Sequence, residues 1–282
     1  MTRPMEAAGA RLQCLQVWGG NGPADTAVST TGLDVWLYSK PYGEAPSGGD
    51  VYYLSSCSSG RITRLALADV RGHGSLVAEI AGRLRGLMQR HIDHIDQDRL
   101  VRSVNQEFVS VGDVSTFATG IIATYFIPTG TLTVTNAGHP PPLRYDLQTG
   151  DWRTVETPPV EDSPSNIPLG ILDTAGFSQS RLPLHTGDLV LLFTDALYEA
   201  EDGDGDMLGS DGLRRILDEI GPIEPEQLVP ELIDRVRTLS PGNLSEDDVS
   251  VMLLRTHGEP VPLKDTLLAP ARYLTKRWRD TT

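Results

Sequence analysis

Arg61-Ile62-Thr63-Arg64-Leu65-Ala66-Leu67-Ala68-Asp69-Val70-Arg71-Gly72-His73-Gly74-Ser75 is the stretch on which the fold turns. Arg61 to Val70 reads as a strand, and it runs into a glycine-flanked turn with an acid at its edge. After Ser75 the period changes. Leu76, Val77, Ile80, Leu84, Leu87 and Met88 fall at helical spacing up to about His94, with Gly82 and Gly86 as the weak points. A second helical segment, Gln97 to Val111, places Leu100, Val101, Val104 and Phe108 on one face. Upstream, Asp50-Val51-Tyr52-Tyr53-Leu54 reads as a strand, joined to the first through the hairpin-like Ser58-Ser59-Gly60.

Strand patterns resume at Ser115 to Phe126 and Thr131 to Asn136, joined by Pro128-Thr129-Gly130. Asn136-Ala137-Gly138-His139-Pro140-Pro141-Pro142 is a proline-stiffened turn before Leu143-Arg144-Tyr145. A polar, proline-rich loop covers Thr157 to Pro168, and Gly187-Asp188 opens a strand at Leu189 to Thr194. Helices are expected at Leu213 to Glu219 and Pro225 to Thr238, and a final strand at Val249 to Leu254. Near the start, Leu33 to Tyr38 alternates as a strand, and the segment around Trp18 is expected to complete a sheet. The tail beyond Thr256 is compatible with a small helix at Leu263 to Arg279; its Arg272, Lys276, Arg277 and Arg279 read as solvated. Strands before and after a helical pair, with many hairpins, imply antiparallel α+β layers rather than βαβ units.

Composition narrows the class. The 282 residues carry 24 Lys+Arg against 38 Asp+Glu, a formal charge of -14, with 39% apolar residues. That apolar share argues against a disordered chain, and the acidic balance against binding a phosphate backbone. Cys14 and Cys57 make neither a zinc CxxC pair nor a disulfide scaffold. The first residues lack a signal-peptide apolar core, and apolar runs such as Leu189 to Phe193 fall far short of a membrane span. The expectation is a globular cytoplasmic protein with no nucleic-acid or membrane partner.

The chemistry lies in acids at strand ends: Asp50 in Ser47-Gly48-Gly49-Asp50, Asp69, Asp195 in Phe193-Thr194-Asp195-Ala196, and the doublet Asp247-Asp248 before Val249. An acid in an apolar strand run is costly to bury unless it is paired or bound to a cation. No matching set of Lys or Arg stands beside them, so a divalent metal is the natural relief of their repulsion. Oxygen-only donors select Mg2+ or Mn2+. Two such ions ~3.5–4 Å apart activate a water and clamp a phosphate for in-line attack, which favours phosphoester hydrolysis.

Six motifs occur in order: Ser47-Gly48-Gly49-Asp50, Ala68-Asp69-Val70-Arg71-Gly72-His73-Gly74, Asn136-Ala137-Gly138-His139-Pro140-Pro141, Pro168-Leu169-Gly170, Thr194-Asp195-Ala196-Leu197-Tyr198-Glu199-Ala200 and Glu246-Asp247-Asp248-Val249-Ser250-Val251. Together they resemble the bacterial PPM/PP2C-type serine/threonine phosphatases of the SpoIIE/RsbU group, over roughly residues 40–255. The resemblance implies an αββα sandwich of two antiparallel sheets flanked by helices, with two Mn2+ or Mg2+ ions. By motif match Asp69 bridges both ions, the Val70 carbonyl binds the second, Asp195 and Asp247 hold the first, and Asp50 serves the second. Asp248 is the alternative to Asp247, because the doublet leaves the register open by one residue.

The implied activity is a protein phosphatase acting on phosphoserine or phosphothreonine of a signalling protein such as an anti-sigma-factor antagonist, with a homodimer or a regulatory partner as expected assemblies. The helical pair 75–111 resembles helices that couple regulation to metal occupancy. Residues 1–39 are expected as an extension packed on the sheet, too short for a sensory domain, and 256–282 as a tail.

Three departures stand out. Ala196 occupies a position where the family has Gly, Val51-Tyr52-Tyr53 replaces an aromatic-Asp pattern, and Arg71 stands where a small residue is usual, within possible reach of substrate phosphate. They motivate the alternative of a catalytically weak pseudophosphatase that binds a partner, and a small-molecule phosphatase is a third reading. His73 reads as structural and His139 as turn-fixing. Asp202-Gly203-Asp204-Gly205-Asp206 starts like a calcium loop, but Met207 replaces the needed Gly and Leu213 the bidentate Glu.

Overall fold

Period-two alternation in the strands and 3.6-residue periodicity in the helices build four layers. The computed structural model of the chain describes residues 10–57, 59–72, 74–91, 94–111, 116–159, 164, 166–259 and 261. In chain order come β1 (Ala10–Arg11), β2 (Val17–Gly20), β3 (Ala24–Ser29), β4 (Leu33–Lys40), β5 (Asp50–Ser56) and β6 (Ile62–Val70). Helices α1 (Ser75–Arg90) and α2 (Gln97–Phe108) follow. Then come β7 (Ala118–Phe126), β8 (Thr131–Ala137), β9 (Leu143–Asp146), β10 (Asp151–Thr154), β11 (Ser180–Pro183) and β12 (Leu189–Phe193). After α3 (Asp195–Tyr198), α4 (Gly209–Ile220) and α5 (Pro225–Leu239) comes the last strand, β13 (Val249–Thr256).

One sheet has the order β1-β3-β4-β13-β12-β9-β10, the other β11-β8-β7-β6-β5-β2. Their pairings are antiparallel except the edge pair β1 and β3. Between the sheets lie Leu37, Leu65, Leu67, Ile121, Val190, Leu192 and Met252. The outer face of the second sheet carries Val51, Tyr53, Ala66 and Ala68 against Ala81, Leu84, Leu100 and Val104 of α1 and α2. The outer face of the first packs Leu191, Phe193 and Val251 against Leu213, Leu217, Leu228 and Leu232 of α4 and α5. This is the α+β sandwich of the sequence reading. Among the described residues no helix is long and apolar enough to cross a membrane.

The differences from sequence are local. α1 ends at Arg90 rather than near His94, and Leu76 is 70% exposed because it stands at the rim of the buried stripe in the first turn. The short strands β3, β10 and β11 and the single turn α3 carry too little periodicity to be read. His73, Ser58, Ser115, part of the Thr157–Pro168 loop and nearly all of the tail, with Arg272, Lys276, Arg277 and Arg279, lie outside the described residues.

The segment expected as an extension, 1–39, contributes strands to both sheets in its described part. β2 pairs with β5, and Trp18 lies against Tyr52 at 5.3 Å between ring centroids. The 39/40 boundary passes through β4, which pairs with both β3 and β13. Leu37 of β4 is 1% exposed within the inter-sheet core. Leu37→Ala should therefore lower the unfolding free energy by about 2–5 kcal/mol, measured by denaturant unfolding. A loss below ~1 kcal/mol would place β4 outside the core.

Candidate functional site

The strand faces that fill the inter-sheet core run out into polar residues at one end. On β6 the inward positions Leu65 and Leu67 are followed two residues later by Asp69, and on β5 Leu54 and Tyr52 lead back to Asp50. On the facing sheet, Val190 and Leu192 lead to Thr194, and Leu254 and Met252 lead back to Ser250 and Asp248. The same alternation on β4 brings in Ser39, whose Oγ lies 3.0 Å from Ser250 Oγ. The core ends in a ring of acids and hydroxyls.

Asp50 and Asp69 sit directly opposite each other in the β5–β6 register. Like charges in that relation repel. Asp50 is only 3% exposed. Its Oδ2 accepts from Thr194 Oγ1 at 3.1 Å, and Thr194 Oγ1 in turn accepts from Ser250 N at 3.0 Å. Asp50 Oδ1 is buried and has no hydrogen-bond partner.

The doublet splits its tasks. Asp248, also 3% exposed, accepts backbone N–H groups from Tyr42 at 2.6 Å, Gly49 at 2.5 Å and Asp50 at 3.4 Å. This closeness explains Gly48-Gly49. A Cβ on Gly48 would collide with the Asp248 carboxylate, and one on Gly49 would lie 2.7 Å from the Val70 carbonyl oxygen. Asp247 is exposed instead, and lines an open cleft of about 450 Å3 with Asp195, Glu199, Glu201 and Glu246. Its Oδ1 accepts from Asp248 N at 2.8 Å.

Asp195 opens α3, four residues before Glu199, whose N–H donates to the Asp195 carbonyl at 2.7 Å. Glu199 received no role from sequence; its spacing from Asp195 on one helical turn was the available signal. Ala196 lies inside α3 and is not among the residues with positive φ, so replacing Gly there strains nothing. Val51, Tyr52 and Tyr53 are buried strand residues, with Tyr52 facing the inter-sheet core and the other two facing α1. Packing therefore accounts for that departure.

Burial first, then Asp195, Asp247, Asp248 and Glu199, raise Asp69 to about 8. Burial first, then Asp247 and Glu199, raise Asp195 to about 6. Asp50 is held well above the carboxylate range by burial and then by Asp69, against the opposing hydrogen bonds of Ser250 and Thr194. Among the described residues, none of Asp50, Asp69, Asp195 and Asp248 sits in an ion pair. Among the described residues no three His, Cys, Asp or Glu side chains are gathered closely enough to hold a metal ion. The donor set still fits hard divalent ions. It is all oxygen, it includes one buried oxygen without a partner, and its members destabilise one another's charge.

The remaining predicted residues fall around this group. Val70 N donates to Gly49 O at 3.2 Å, which fixes the Val70 peptide beside the Asp50 loop. Arg71 is exposed just past Asp69, with its guanidinium over the Phe117 ring at 5.3 Å. His139 is buried, its Nδ1 lies 2.8 Å from Thr119 Oγ1, and Asn136 bonds both its N–H and its carbonyl at 2.8 Å. That is a turn-fixing set of contacts. Asp202 bends the acidic loop by accepting N–H groups from Asp204 at 2.9 Å and Asp206 at 3.1 Å.

The family model for Stage II sporulation protein E (SpoIIE) matches residues 59–257. The phosphoserine phosphatase RsbU of Bacillus subtilis (strain 168) is 23% identical over 224 residues, which are 79% of this chain and 63% of RsbU. The chain thus spans less than two thirds of that relative. The RsbU and RsbW domains of Rv1364c from Mycobacterium tuberculosis share the fold with a TM-score of 0.66 at 23% identity, over 85% of this chain and 64% of that one. The catalytic domain of the serine/threonine protein phosphatase PstP, solved in complex with two manganese ions, gives a TM-score of 0.55 at 17% identity, over 81% of this chain and all of that one. With well over half of its residues matched by the family model and a PP2C-type sandwich around its acids, the chain belongs to the SpoIIE family.

Proposed function

We propose that the chain is a metal-dependent phosphatase that hydrolyses phosphoserine or phosphothreonine on a signalling protein. The observation that carries this reading is Asp50 buried opposite Asp69 with one oxygen unpartnered, beside Asp195 and Asp247 facing an open cleft. Asp69, the Val70 carbonyl, Asp195, Asp247 and Asp50 would hold two Mn2+ or Mg2+ ions. When bound, such ions supply an activated water and neutralise charge building on the phosphoryl group.

The chain's own residues do the rest. Thr194 and Ser250 fix the rotation of the Asp50 carboxylate, and Asp248 fixes the loop it stands on. Arg71, exposed beside the cleft's acids, would pair with two phosphate oxygens as the phosphoprotein enters. The open cleft suits a side chain presented on a protein surface better than a small molecule enclosed on all sides. The RsbU and RsbW names among its relatives support a phosphorylated anti-sigma-factor antagonist as substrate, in the cytoplasm, with a regulatory partner or a second copy setting activity.

Phosphate release from a phosphoserine peptide should require Mn2+ or Mg2+ and stop in EDTA. Asp69→Asn should lower it by at least about 100-fold, since even residues that only support metal ligands cost 10–100-fold. Rates near wild type in that variant would overturn the assignment.

Without divalent ions the carboxylates make stability depend on pH. Asp69, raised from the ordinary 3.8 to about 8, keeps its proton in the folded chain at pH values where the unfolded chain has lost it. Its contribution to stability is complete below about pH 4 and is lost as pH rises through about 8. Asp195 acts in the same sense through about 6. His139, lowered to about 3 by burial, acts in the opposite sense, but only below the ordinary value of 6.5. Between about pH 6.5 and 8.5 Asp69 acts together with Asp50, which burial and the Asp69 charge hold well above the carboxylate range. The thermal midpoint in EDTA should fall across that interval, the fall should be smaller in Asp69→Asn, and saturating Mn2+ should raise the midpoint most at the alkaline end. A flat profile for the wild type in EDTA would contradict an Asp69 held above the ordinary carboxylate range.

A further inference from the structure

The loop that carries Asp50 is gripped by a residue far upstream. Asn21, just after β2, accepts Gly48 N with its carbonyl at 2.7 Å. Its Nδ2 donates to Gly48 O at 3.0 Å and to Ala78 O in the first turns of α1 at 2.9 Å. One residue thus holds both sides of Gly48 and ties it to the helix. Gly48 has no slack of its own, because any Cβ there would strike Asp248, and Asp248 in turn takes the Gly49 and Asp50 amides. Gly49 is equally confined: a Cβ would lie 2.7 Å from Val70 O and 3.0 Å from Val77 Cγ1 of α1. The Asp50 loop, the Val70 carbonyl and the start of α1 are therefore packed against one another, with the Asn21 side chain bridging the loop and the helix.

We propose that Asn21 is a positioning residue for the cation-holding group, and that through it the strand Val17–Gly20 controls how Asp50 and Val70 are presented. This rests on the metal-dependent reading above. The same strand grips α1 a second time, because Arg85 Nη1 donates to Gly19 O at 2.9 Å, but that bond does not touch the Asp50 loop. The two attachments separate the proposal from general packing of the strand. Asn21, β2 and Gly48 lie before residue 59, where the family match begins, whereas their partners on α1 lie within it.

The test is Mn2+ titration by calorimetry on the full chain, for the wild type, Asn21→Ala and Arg85→Ala, with thermal unfolding of each in EDTA. Asn21→Ala should weaken Mn2+ binding about 10- to 100-fold, the scale for residues that support metal ligands, while remaining folded in EDTA. Arg85→Ala should keep its affinity within about twofold, well below that range. If Asn21→Ala does not fold, Asn21→Ser, too short to reach both carbonyls, carries the same expectation. Wild-type affinity in the folded Asn21 variant overturns the proposal. So does an equal loss in Arg85→Ala, which would show that Asn21 merely anchors the strand. A wild type that binds no Mn2+ overturns the metal reading itself, an outcome distinct from either.

Discussion

Two carboxylates stand opposite each other at one end of an apolar sandwich, and the local structure is organised around that repulsion. Asp50 and Asp69 are brought together by strand register, not by mutual attraction. Leu54 opposite Leu65 and Tyr52 opposite Leu67 are the rungs that pay for it, since slipping the register by one residue would turn those side chains out of the core. The surroundings relieve only part of the repulsion. Hydroxyls of Thr194 and Ser250 reach Asp50, yet its second oxygen stays unpartnered, a state that ordinarily costs about 1–3 kcal/mol or more for a charged acceptor. Retaining such a group in a core end is intelligible when a cation is its intended partner.

Neighbouring acids take different parts at the entry to β13. Asp248 turns inward and clamps the loop that precedes β5, whereas Asp247 turns to the cleft shared with Asp195 and Glu199. The clamp is made of backbone amides rather than Lys or Arg. An amide dipole steadies a carboxylate without filling the space or neutralising the field that a divalent ion needs. Arg144 and Asp188 show the other solution, a buried acid with its own guanidinium at 2.9 Å, among elements that pack the β9–β12 region and carry no chemistry in this reading.

Helices α1 and α2 and strands β5 to β8 were legible because each has several buried positions in phase, for example Leu84, Leu87 and Met88, or Leu65 and Leu67. β3, Ala-Asp-Thr-Ala-Val-Ser, has no such run and becomes a strand through its neighbour β4. α4 begins at Gly209, four residues before the expected Leu213, because Gly-Ser-Asp-Gly resembles a turn until tertiary packing extends the helix. The acids at strand ends were visible as misplaced charges. The division between Asp247 and Asp248 was not, because the amides that distinguish them belong to residues about 200 positions away, with separations of 199 for Gly49 and 206 for Tyr42. Asn21 escaped notice for the same reason: its partners are at Gly48 and Ala78.

Those separations have an energetic consequence. Asp69, Asp195 and Asp247 come from three distant parts of the chain and approach one another only when the two sheets have closed. The unfolded chain holds no equivalent group, so a divalent ion binds the folded state almost exclusively and adds stability by mass action, about 2.7 kcal/mol at one hundred times its dissociation constant. The gain is largest where the carboxylates have lost their protons, which is where the metal-free fold is weakest. In the proposed reading cation and proton compete for one set of oxygens, and whatever alters the spacing of those oxygens alters both equilibria at once. A strand that holds the Asp50 loop, as β2 does through Asn21, can act on catalysis without approaching the substrate, because it acts on the spacing that decides whether protons or cations neutralise the site.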